Sequence, residues 1–178
     1  MSVSTKGHDC YGIGAGYEEE VGEIVFNHSG EIKVRVDGEL SSAVGGGIYS
    51  TGNGVQVLSG LLDISVASIT GVGIGCIEGE MPINLKNCGI SLDVRVNEGI
   101  GIGSLNGPQN IDISNYEITF SASGSRVACV GTVQPSDGKI SFNSGSIEGA
   151  MSGSIKSGIE VVNSASKWAN TGNKSGYQ

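Results

Sequence analysis

Lys33, Arg35, Asp63, Asp93 and Arg95 are the side chains of this sequence whose types and spacing best suit shared chemistry. They recur about 30 residues apart, so a chain that coils back on itself at that interval brings them onto one face. A saccharide site needs such convergent donors and acceptors. A polysaccharide lyase would use the carboxylates to hold Ca²⁺ and an arginine as base. The same residues also suit a solubilising surface, where cross-strand ion pairs contribute a few tenths of a kcal/mol each.

Other chemistries fare worse. The glycine-rich stretches invite a dinucleotide fingerprint, but the last position of GxGxxG is Tyr17, Ser50, Glu78 or Asn106 in the four stretches that begin it. No GxxxxGK[ST] loop exists, and neither His8 nor His28 accompanies a GxSxG nucleophile motif. Cys10, Cys76, Cys88 and Cys129 form no CxxC pair and no zinc-finger spacing. They read as reduced, mostly buried thiols, with disulfides as the alternative. Glu18, Glu19 and Glu20, with Glu78 and Glu80, make oxygen-rich turns for which Ca²⁺ is a candidate, although the Asp-x-Asp spacing of a defined calcium loop is missing. A formal charge of −8 without a basic cluster disfavours nucleic acid as a partner. No run of about 18 apolar residues is present, so no membrane insertion is expected.

The elements that must position these residues follow from an internal repeat. Tyr11-Gly-Ile-Gly-Ala-Gly16, Val44-Gly-Gly-Gly-Ile-Tyr49, Val72-Gly-Ile-Gly-Cys-Ile77, Ile100-Gly-Ile-Gly-Ser-Leu105 and Ala128-Cys-Val-Gly-Thr-Val133 share one template, with starts 33, 28, 28 and 28 residues apart. A second apolar pair follows each: Ile24/Phe26, Val55/Val57, Ile83/Leu85, Ile111/Ile113 and Ile140/Phe142. A third segment begins 7 or 8 residues later, for example Ile32/Val34/Val36 and Ile90/Leu92/Val94. Apolar residues alternate with polar or small ones in each segment, the period of a strand with one buried face. Segments this short leave no room for a useful helix.

Three strands per repeat make one coil of a solenoid, which is stable only when stacked on its neighbours. The expected fold is all-β: a right-handed, single-stranded parallel β-helix (β-solenoid) of about five coils of three short strands, about 24 Å long at a strand spacing of about 4.8 Å. It should occupy residues 1–162, with residues 1–10 as an N-terminal cap region or a partial coil. Residues 163–178, polar apart from Trp168, read as a C-terminal tail.

Glycine accounts for 31 of the 178 residues and proline for 3, without the strict third-residue period of collagen. Regularly spaced Ile, Val and Leu argue against disorder. In the first strand Gly12, Gly14, Gly45, Gly47, Gly73, Gly75, Gly101, Gly103 and Gly131 take alternate positions. If Ile13, Ile74, Ile102 and Val130 face the core, these glycines leave a bare outer strip for another surface to lie against. The competing explanation is a tight corner, or the close approach of neighbouring backbone.

Repeat alignment places Lys33, Asp63, Ser91, Thr119 and Glu148 in one column of the third strand. Arg35, Ser65, Asp93, Ser121 and Ala150 form the next, then Asp37, Ala67, Arg95 and Ser123. Another column, His28, Ser59, Asn87, Asn115 and Ser144, has the composition of a turn ladder that satisfies stacked backbone groups.

The repeats Tyr11-Gly-Ile-Gly-Ala-Gly16, Val72-Gly-Ile-Gly75 and Ile100-Gly-Ile-Gly103, with companion strands such as Gly30-Glu-Ile-Lys-Val34, resemble the Gly-Ile-Gly repeats of bacterial surface proteins. The resemblance covers about residues 11–155. It implies a right-handed parallel β-helix, a secreted or surface location, and kinship with carbohydrate-binding modules that hold calcium. The polar stretch Met1–Cys10 has no apolar core of a secretion signal. The leading expectation is a non-catalytic binding or scaffold module directed at a polysaccharide or a protein surface. A self-associating structural protein and a polysaccharide lyase are the alternatives.

Overall fold

The computed structural model describes residues 1–14, 22–38, 44–50, 53–79, 81–107, 109–124, 126–133, 137–150 and 159–170. They contain strands and connections only, ordered β1 (Ser2–Gly7), β2 (Cys10–Gly14), β3 (Ile24–Gly38), β4 (Val44–Tyr49), β5 (Val55–Ala67), β6 (Thr70–Glu78), β7 (Met81–Arg95), β8 (Glu98–Asn106), β9 (Gln109–Ser123), β10 (Arg126–Thr132), β11 (Gly138–Ala150) and β12 (Ile159–Asn170). Every pairing is parallel; up to β11 strands two apart in sequence lie side by side, and β12 lies beside β11. One sheet runs β1-β3-β5-β7-β9-β11-β12 and the other β10-β8-β6-β4-β2. The chain is therefore an all-β parallel β-solenoid of about four turns.

The second and third segments of each repeat, expected as separate strands, run together as one long strand. In β7, β9 and β11 the bend between them falls on a single residue: Asn87, Asn115 and Ser144 have φ of 50°, 49° and 53°. Asparagine tolerates this left-handed conformation better than most residues, because its short amide can hydrogen-bond locally. One such residue turns the chain without breaking the ladder on either side, so two strands become one bent strand.

The register matches the expected columns. Lys33, Asp63, Ser91, Thr119 and Glu148 are successive partners, as are Asp37, Ala67, Arg95 and Ser123. Inward residues of the long strands, including Val34, Ile64, Leu92 and Phe120, are buried and form the core with Ile83, Leu85, Ile111 and Ile113.

The glycine-rich strands depart from the bare-strip expectation. In β4, β6, β8 and β10 nearly every residue is buried, on both faces of the strand. Ile48, Ile74 and Ile102 lie on one face. On the other, a Cβ at Gly47, Gly73 or Gly101 would run into Ile64, Leu92 or Phe120 of the long strands. Glycine thus lets one sheet approach the other closely, and β4, β6, β8 and β10 leave no flat outer face. The alternation pattern misleads because a small residue that packs and a small residue that is exposed look the same in sequence.

At one end β1 forms an extra rung beside the third-segment half of β3. At the other, β12 pairs with β11 from Ile159 to Asn170, so residues 163–170, expected as tail, continue the sheet. Their polar composition is no obstacle, because main-chain groups make the ladder bonds. Residues 171–178 lie outside the described part.

Candidate functional site

The five residues singled out by spacing do share a face, and they are occupied with each other and with one neighbour. Arg35 donates from Nη1 and Nη2 to Asp63 Oδ1 and Oδ2 at 3.2 and 2.6 Å, and from Nη1 to the Asp63 carbonyl at 3.1 Å. Arg95 donates from Nε and Nη2 to Asp93 Oδ2 at 3.0 and 2.5 Å. Lys33 Nζ sits 3.3 Å from Glu31 Oε2. The hydrogen bonds that Arg35 donates to Asp63 hold its guanidinium above its ordinary pKa, and those to Asp93 do the same for Arg95. Each carboxylate therefore keeps its arginine protonated, with no lone pair free to accept a proton. These side chains present a self-neutralised face.

A hollow lies beside that face. Three residues from each of four successive coils line a groove of about 880 Å³: Asn27–Ser29, Ser59–Leu61, Asn87–Gly89 and Asn115–Glu117. It follows the bend of the long strands, across the strand direction, for about 14 Å at the strand spacing of parallel sheets. Its middle column is the most deeply placed, with Cys88 and Tyr116 buried. On one side stands the polar ladder. Asn115 Nδ2 donates to Asn87 Oδ1 at 2.7 Å, and Ser59 Oγ donates to Asn27 Oδ1 and the His28 carbonyl, both at 3.0 Å. On the other side Leu61 is 53% exposed and Glu117 is exposed. A smaller hollow of about 280 Å³, which includes Glu31, Ser91 and Thr119, continues from Leu61 and Glu117.

The first coil carries one residue more than the second at this bend: four residues separate Phe26 from Glu31, and three separate Val57 from Leu61. Asn27 consequently pairs with Ser59, and His28 is displaced from the rung expected for it. Its ring lies over Gly60, whose φ of 109° and missing Cβ leave room for it. Tyr116 covers Gly145 in the same way near the opposite end. Buried His28 Nε2 and Tyr116 Oη have no hydrogen-bond partner among the described residues. Such atoms cost free energy when left dry and unpaired.

No family model, curated protein or solved structure matches the chain.

The remaining candidates contribute little to this site. Glu18, Glu19, Glu20 and Glu80 lie outside the described residues, and Glu78 is exposed at the end of β6. Among the described residues no group of three His, Cys, Asp or Glu side chains is arranged to hold a metal ion. All four cysteines are buried and outside any disulfide, and burial pushes Cys76 up to about 12 and Cys88 to about 11. Those thiols are unsuited to nucleophilic work near neutral pH. No described helix is long and apolar enough to cross a membrane.

The ladder half of the groove was legible from its Asn and Ser column. The roles of Leu61, Tyr116 and Glu117 were not. Only the repeat alignment could have found them, by placing each two residues or fewer from the ladder column.

Proposed function

We propose that this protein is a non-catalytic binding module for a polysaccharide, which lies along the bend groove with the face of Lys33, Arg35, Asp63, Asp93 and Arg95 at its rim. The observation that carries the reading is the groove itself: an amide or hydroxyl side chain from each of four coils, Asn27, Ser59, Asn87 and Asn115, follows the bend. A periodic row of short, exposed donors and acceptors suits a ligand that is itself periodic and hydroxyl-rich. The resemblance to Gly-Ile-Gly surface repeats points the same way. Lyase chemistry is disfavoured, because Arg35 and Arg95 are each held protonated by a bonded carboxylate.

A glycan array probed with and without Ca²⁺ tests the proposal. Binding that is lost in Asn87→Gly and Asn115→Gly supports it; these variants keep the left-handed backbone and remove only the amides. No binding of any glycan in either condition refutes it. Self-association is the second reading, favoured by the sheet edges at β1, β12, β2 and β10, beside which no further described strand lies. Light scattering that finds a monomer at every concentration removes that reading.

A further inference from the structure

We infer that the ligand of the bend groove is an uncharged polyhydroxyl chain and not an acidic polysaccharide, an inference that rests on the binding reading above. Charge carries the argument. Of the twelve residues that line the groove, the one carboxylate is Glu117 and none is Lys or Arg. The hollow continuing from it adds a second carboxylate, Glu31, again without Lys or Arg. The nearest lysine on that side, Lys33, is engaged with Glu31 at 3.3 Å. The formal charge of the whole chain is −8. A uronate or sulfated chain entering here would meet two carboxylates, with His28 the one basic side chain among the lining residues and exposed Lys86 outside them, and the field of the molecule repels it on approach.

The neutral groups suit an uncharged chain. Asn27, Ser59, Asn87 and Asn115 supply amides and a hydroxyl at the coil spacing, with Ser29 beside Asn27 on the first coil, and the bonds they make among themselves leave unused donor and acceptor capacity. Leu61, 53% exposed and lying over Gly89, offers an apolar contact of the kind a sugar ring's C–H face covers. Because the groove crosses the strands, the chain should run parallel to the solenoid axis. Affinity should stop rising once the oligosaccharide spans the four coils that line the groove.

Affinity gel electrophoresis of the full chain tests this with a neutral β-glucan, a polyuronate and a cationic glucosamine polymer embedded in the gel, at low and high salt. The expected result is retardation by the neutral polymer, unchanged by salt, with the polyuronate at least about tenfold weaker. Glu117→Lys, a change at an exposed position, should bring the polyuronate to within reach of the neutral polymer. Preference of the unaltered protein for the polyuronate or the cationic polymer, or neutral binding abolished by salt, overturns the inference and leaves the binding module standing. Failure to bind all three polymers, together with a blank glycan array, overturns both.

Discussion

Gly73→Ala isolates the reason glycine fills the inner strand. Gly73 has an ordinary φ, so the substitution introduces no backbone strain of the left-handed kind. Its cost must come from space. The new Cβ would stand 2.5 Å from the Gly101 carbonyl oxygen on β8 and 2.9 Å from Leu92 Cδ2 on β7. The leucine tip can rotate away. The carbonyl cannot, because it belongs to the backbone of the strand on which β6 is stacked. Overpacking costs about 1–3 kcal/mol, and an obstacle made of backbone places this case at about 2–3 kcal/mol. For a chain of this size that lowers Tm by about 5–10 °C. Urea unfolding followed by circular dichroism measures it as a lower midpoint at constant slope, and amide exchange should quicken first in β6 and β8. Gly30→Ala is the control: nothing lies within 4 Å of its Cβ, so the change should stay within about 0.5 kcal/mol. Adding Leu92→Val to Gly73→Ala should relieve only part of the damage, because the carbonyl remains. If Gly73→Ala is as harmless as Gly30→Ala, the close-approach argument is wrong.

At the bend, Asn87→Ala should destabilise by about 1–2 kcal/mol and Asn87→Gly by less, since φ of 50° penalises a Cβ that lacks a local hydrogen bond; chemical denaturation of the two variants compares them directly. A double-mutant cycle on Arg35 and Asp63, 43% and 27% exposed, should return a coupling of about 0.5–1 kcal/mol that shrinks in high salt. Folded protein at pH 8 should resist iodoacetamide at Cys76 and Cys88 and react rapidly once unfolded in urea. Burial raises these thiols in the fold, so their contribution is complete below the ordinary thiol value of about 9. The unfolded chain ionises first above that point, and the contribution is lost as pH rises towards about 11 for Cys88 and about 12 for Cys76. A pH series of urea midpoints from 8 to 11 in steps of about one unit should fall accordingly.

The solenoid was legible because a coil cannot hide its period. Residues 28 apart, such as Ile64, Leu92 and Phe120, must be apolar together when they stack in one column. That constraint also set the register of the charged columns to the residue. Orientation was less accessible. The alternation of Gly73 and Ile74 says that two faces differ, and the larger residue was assigned to the core; burial of both shows that each face has a neighbour. The site was half visible for a related reason. Asn87 and Asn115 stand out as a polar column, whereas Tyr116 aligns with Cys88 and Gly60 and resembles ordinary core variation. Its meaning comes from the ring lying over Gly145, its partner on the next coil in the same column, where glycine leaves room for it.

The charged face and the groove are then complementary outcomes of one repeat. On the face, side chains at adjacent columns are long enough to reach one another, and Arg35 with Asp63 and Arg95 with Asp93 close into pairs. At the bend the left-handed residue must be short and polar, so its reach ends at the next rung, as Asn115 reaches Asn87. Long charged side chains satisfy each other and leave little for a ligand. Short ladder groups satisfy one neighbour and keep their remaining donors and acceptors exposed. The binding proposed above therefore falls to the bend, where the backbone selects residues too small to quench themselves, and the prominent charges of the sequence pair with one another on the adjoining face.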